Sequence, residues 1–80
     1  MNNAMLQKAL TKIANQDLAL ARKQGAITVA QTKLGNLHVE YSAGVYKITA
    51  QAGMESMVVC EGKASDARDV LIASYDVVTE

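Results

Sequence analysis

His38 and Cys60 are the sole histidine and sole cysteine of this chain, so any nucleophile–base pair or soft-metal site has to begin with them. A cysteine attacks as its thiolate, and an imidazole within hydrogen-bond reach, itself oriented by an acid, is the usual device for making one. Glu40 lies two positions after His38, yet on an extended segment this pair reads most simply as a surface histidine beside an acid. Cys60 sits in the run Val58-Val59-Cys60, where a thiol behaves as a small buried hydrophobe. Joining the two would need the first and last strands of a sheet to meet, and no local signature does that. No histidine and cysteine cluster has zinc spacing. Gly62-Lys63-Ala64-Ser65 places a glycine–lysine pair before a helix, but Met57-Val58-Val59 stands where a phosphate-binding loop needs its earlier glycine. The expectation is a chain with no catalytic residues, no metal site and no cofactor.

The elements that would carry these side chains are strands in the middle and helices at the ends. Alternation of apolar and polar residues marks strands, because successive side chains point to opposite faces. Leu37, Val39 and Tyr41 alternate with His38, Glu40 and Ser42; Tyr46, Ile48 and Ala50 alternate with Lys47, Thr49 and Gln51. Leu34-Gly35-Asn36 and Ser42-Ala43-Gly44 supply turn residues before and after the first of these runs, so neighbouring strands pair antiparallel. Ile27 to Gln31 adds a further strand. Met54 to Glu61 is continuously apolar at its centre, which predicts burial on both faces or a twist near the following helix.

The first helix runs from Asn2 or Asn3, either of which can cap it, to about Gln24, with Gly25 as its left-handed terminator. Leu6, Leu10, Ile13 and Leu20 form its apolar stripe, flanked by Ala14 and Ala21, and Asp17 falls in the middle of that stripe. A lone buried carboxylate is costly, so the helix bends near Asn15-Gln16-Asp17 and restarts with Asp17 as a cap, or Asp17 sits at a rim, or it meets a cation from a partner molecule or a second copy of the chain. The last helix is capped by Ser65, with Asp66 and Asp69 in its first turn. Its face of Ala67, Val70, Leu71, Ser74, Tyr75, Val77 and Val78 packs on the sheet, while Ile72 points away among Arg68, Asp69 and Asp76. The fold class is therefore α+β: one domain over residues 1–80 in the order α-β-β-β-(β)-α, an antiparallel sheet with both helices packed on one face.

Eighty residues support one modest core, near the size at which a second copy often completes it. Half the residues are hydrophobic, the only aromatics are three tyrosines, and there is no proline, so the core is aliphatic. Eight basic residues balance eight acidic ones, and a neutral surface has little pull on nucleic acid or anionic membrane. The apolar runs are too short to span a bilayer. A single cysteine and no leader-like start lead to the expectation of a reducing compartment, the cytoplasm.

The order helix-strand-strand-strand-helix resembles the double-stranded-RNA-binding domain, and Gly62-Lys63-Ala64-Ser65-Asp66-Ala67-Arg68 is similar to the glycine-and-lysine start of that family's last helix. The resemblance implies nucleic-acid binding through lysines at this helix start, but here Asp66 and Asp69 stand among Lys63 and Arg68 and cancel the charge. The leading expectation is instead a non-enzymatic protein-binding module that occludes a target surface. Short chains of this kind are often inhibitors or regulators carried by phages and other mobile elements, including counter-defence proteins. Its candidate contacts are Ile72, Asp69 and Asp76 on the last helix and Glu40, His38 and Lys47 on the sheet. A second copy is a further candidate partner, through the unprotected sheet edge.

Overall fold

The computed structural model describes residues 3–77. Helix α1 (Asn3–Gln24) leads into strands β1 (Ala26–Thr32), β2 (Gly35–Ser42), β3 (Val45–Ala52) and β4 (Glu55–Gly62), and helix α2 (Ala64–Ser74) follows. The strands form one sheet in the order β1-β2-β3-β4, antiparallel throughout. Both helices lie on the same face, α1 over β1 and β2 and α2 over β3 and β4. Among the described residues no helix is long and apolar enough to cross a membrane.

Each hairpin turns through two residues. Ser42 pairs with Val45 around Ala43 and Gly44, both at positive φ, the backbone that matches the twist of paired strands. The β1–β2 turn falls one residue earlier than the sequence implies. Lys33 and Leu34 make it, and Gly35 opens β2. Thr32 explains the shift: its hydroxyl donates to the Gly35 carbonyl at 2.6 Å and accepts from the Leu34 amide at 3.1 Å, closing the turn from within. Gly35 is fixed there by its φ of +83° and by the Gln51 carbonyl oxygen, which a Cβ would approach to 3.0 Å.

The core is aliphatic as composition requires. Leu37 and Val39 of β2, Ile48 of β3 and Leu71 of α2 are its largest fully buried side chains, each worth about 1.5–3 kcal/mol of transfer free energy. Ala14, Leu18 and Ala21 bring α1 onto this layer. The buried stripe of α1 is thus rotated from the expected one. Leu18 is the anchor, whereas Ile13 and Leu20 are 44% and 42% exposed, because small Ala14 and Ala21 let the helix approach the sheet along their side. The helix runs unbroken through Asp17 to Gly25, whose amide donates to the Ala21 carbonyl at 2.7 Å at φ +89°. Asn3 is already helical, and Asn2 lies outside the described residues.

At α2, Lys63 rather than Ser65 takes the cap position, in extended conformation and with no side-chain cap bond. The Ala67 amide reaches the Lys63 carbonyl, so Ser65 falls within the first turn, Asp66 is the acid there, and Asp69 belongs to the next turn. Ala67, Leu71 and Ser74 are the buried face. Ser74 is accommodated by donating its hydroxyl to the Val70 carbonyl, and its own carbonyl accepts the Lys33 amide across the β1–β2 turn. Tyr75 and Val77 follow in non-helical backbone, and Val78 lies outside the described residues.

Candidate docking surfaces

Pairing register fixes which side chains share a face. His38 sits opposite Thr49, and Glu40 opposite Lys47, which in turn pairs with Glu61. The sheet face away from the helices therefore carries an acid–base–acid row across three strands. His38 Nε2 approaches Glu40 Oε1 to 3.8 Å with both side chains about half exposed, a contact solvent screens. A shallow cleft of about 220 Å³ lies among Glu40, Ser42, Val45, Lys47 and Glu61. The three sheet residues picked from sequence, His38, Glu40 and Lys47, do come together.

The three helix residues do not join them, because α2 lies on the opposite layer. Asp69 and Asp76 are exposed. Ile72 is not the outward contact expected from its place in the helix pattern: it is half-buried and packed against the core. Helix α2 sits low enough on β3 and β4 for its flank, as well as its centre, to touch apolar neighbours.

Cys60 pairs with Ile48 on the helix side of the sheet, while His38 lies on the far side. The sheet itself separates them. Burial, and then the nearby Asp66 carboxylate, push the Cys60 thiol above its ordinary pKa, so it is held protonated at neutral pH and is a poor nucleophile. Among the described residues no three His, Cys, Asp or Glu side chains are grouped to hold a metal ion.

The feature that sequence reasoning missed is the exposure of β4. Its apolar run is not buried on both faces. A bulge between the Ile48 and Thr49 pairings makes Val59 an extra residue, so Val59 and Cys60 both lean on the core while Val58 turns to the open face. Met57 is 66% and Val58 50% exposed, and Met54, in the preceding turn, is fully so. Beside them a groove of about 430 Å³ is lined by Leu34, Ala50, Ala52, Met57 and Val59 and also by Glu55 and Ser56. The available signal was position: the fourth strand of a meander has a neighbour on one side only, whatever its composition. A larger depression of about 830 Å³ runs along α1 from Ala4 to Ala19, but one helix alone lines it, so it encloses nothing.

Charge is divided across the sheet. Residues 3–34, which form α1, β1 and their following turn, together with Asp76, which shares a cleft with Ile13 and the end of β1, carry five Lys or Arg and two Asp, a balance of +3; residues 54–74, which form β4 and α2, carry four acids and two bases, a balance of −2. The neutral total therefore conceals a molecule with a basic β1 side and an acidic β4 side. Compared with protein-family models, curated proteins and solved structures, the chain matches none.

Proposed function

We propose that this chain is a non-enzymatic protein-binding module, an inhibitor or regulator of the kind phages and other mobile elements carry, acting in the cytoplasm by covering a surface of its target. The observation that carries this reading is the β4 edge. Three exposed apolar side chains, Met57 and Val58 on β4 and Met54 in the turn before it, lie at a strand that pairs on one side only among the described residues, beside an open apolar groove. An edge strand offers its backbone donors and acceptors to an extended segment of another protein, and alternate side chains add specificity. Methionine suits such a surface because its flexible thioether fills irregular gaps. The acidic balance of this side favours a basic target segment.

The experiment is affinity capture from the native host followed by amide hydrogen exchange on the purified complex. The expected result is one defined protein partner, with new protection concentrated at residues 55–61. Protection confined to the open sheet face, with β4 amides unchanged, overturns this assignment of the surface. Nucleic acid is the second reading, favoured by the +3 balance around α1 and β1. It requires a gel-retarded complex whose affinity falls steeply with salt.

A further inference from the structure

We infer that the β4 edge also takes a second copy of this chain, by pairing with that copy's β1 edge, so that sheet and helix layer continue from one molecule into the next. Neither edge has a second strand partner among the described residues. Because all neighbouring strands are antiparallel, β1 and β4 run in opposite directions, and a copy placed beside the first meets it in the same antiparallel pairing used three times within the chain.

The faces match as well as the directions. Met57 pairs with Ala50, and Ile27 and Val29 pair with Val39 and Leu37, all on the helix side of the sheet. Joining the edges sets Met57 beside Ile27 and Val29, both half-buried at present, while Val58 meets Thr28 on the open face. Above β1, Ile13 and Leu20 stand seven residues apart on one flank of α1, and Ile13 shares a cleft with Ala30, Gln31 and Thr32. That flank overlooks the end of β1 together with this chain's own Tyr75, Asp76 and Val77, which line the same cleft, and Leu20 is its exposed part toward the start of β1. Four strands at a spacing of ~4.8 Å span ~19 Å, and two helices packed ~8–10 Å apart cover a similar width, so α2 of one copy arrives against α1 of the next.

Charge decides between this arrangement and a two-fold one. Head-to-tail pairing sets the −2 side against the +3 side, whereas β4–β4 or β1–β1 pairing opposes like charges. Such a contact does not close on itself, so it adds copies stepwise. The inference is independent of any outside target: self-association is measured on the purified chain alone, so its failure leaves the capture experiment untouched.

The test is sedimentation of the full chain with two double variants at exposed positions, each checked for its fold by circular dichroism. Met57→Lys/Val58→Lys blocks the β4 edge, and Ile13→Glu/Leu20→Glu blocks the β1 side. The expected result is a wild-type mass that rises with concentration and falls with added salt. Each variant alone stays monomeric, and an equimolar mixture forms a one-to-one dimer, since each partner keeps one working edge. A wild-type chain that stays monomeric at millimolar concentration in low salt overturns the inference. So does self-dimerisation of the Ile13→Glu/Leu20→Glu variant, which would reveal two-fold β4 pairing.

Discussion

The Tyr75 hydroxyl donates a 2.6 Å hydrogen bond to Oδ2 of Asp17, tying the residue that ends α2 to the middle of α1. This resolves the placement of an acid within an otherwise apolar helix face. Asp17 is half-buried, and its partner is a phenol of the same chain, 58 positions away. Together with the bond from Arg68 Nε to Asn15 Oδ1 at 2.8 Å, it sets the position of one helix against the other.

Removing either end of that bond will destabilise the fold. A hydrogen bond to a charged acceptor contributes about 1.5–3 kcal/mol, less where solvent reaches it, so Tyr75→Phe is expected to cost about 1–2 kcal/mol. Denaturant melts of Tyr75→Phe, Asp17→Ala and the double variant give the coupling. Fully additive losses would show that the two side chains do not act together.

Stability will also fall in alkali. Burial first, then the bond to Asp17 and its charge, hold the Tyr75 phenol above its ordinary pKa, so above about pH 10 the unfolded chain releases a proton that the folded chain retains. The contribution is complete below that pH and declines above it, by less than ~1.4 kcal/mol per pH unit because the ring is only part-buried. Thermal melts between neutral pH and strong alkali should decline more steeply for the wild type than for Tyr75→Phe.

The two sides of α1 will respond unequally to truncation. Leu18→Ala empties a buried site and is expected to cost about 2–5 kcal/mol, whereas Ile13→Ala and Leu20→Ala each cost under about 1 kcal/mol. Equal losses at Leu18 and Ile13 in urea titrations would contradict the helix orientation described above.

Gly35→Ala combines a left-handed φ of +83° with a Cβ only 3.0 Å from the Gln51 carbonyl. A loss of about 1–3 kcal/mol follows. Gly44→Ala, with nothing within 4 Å of its Cβ, carries only the backbone term and should lose less in the same melt.

Ile72→Asp places a charge against the core and should lower the melting temperature, while Met57→Asp, on the exposed edge, should leave it nearly unchanged. Differential scanning calorimetry of the two variants distinguishes a packing residue from a surface one.

The strands and their pairing were legible in the sequence because β2 and β3 keep strict period two, and their turns carry glycine where positive φ is needed. What was not legible came from tertiary placement. Leu18 and Ile13 are chemically equivalent on a helical wheel, and only the small Ala14 and Ala21 bias the helix toward the former. Ser65 is a good cap by type, yet the chain leaves β4 so early that Lys63 takes the position. Val58-Val59-Cys60 looked doubly buried because a bulge and a deep strand both break alternation. That His38, Glu40 and Lys47 share a face was legible because sheet register follows from short turns, while the burial of Ile72 depended on how low α2 rests on the sheet.

All three tyrosines of the chain touch α1: Arg22 lies over the Tyr41 ring at 5.7 Å, the Tyr46 hydroxyl reaches the Leu18 carbonyl at 3.5 Å, and Tyr75 bonds Asp17. With neither tryptophan nor phenylalanine present, the intrinsic ultraviolet emission of this molecule is a built-in gauge of whether its first helix is seated, and detachment of that helix is visible without any added dye.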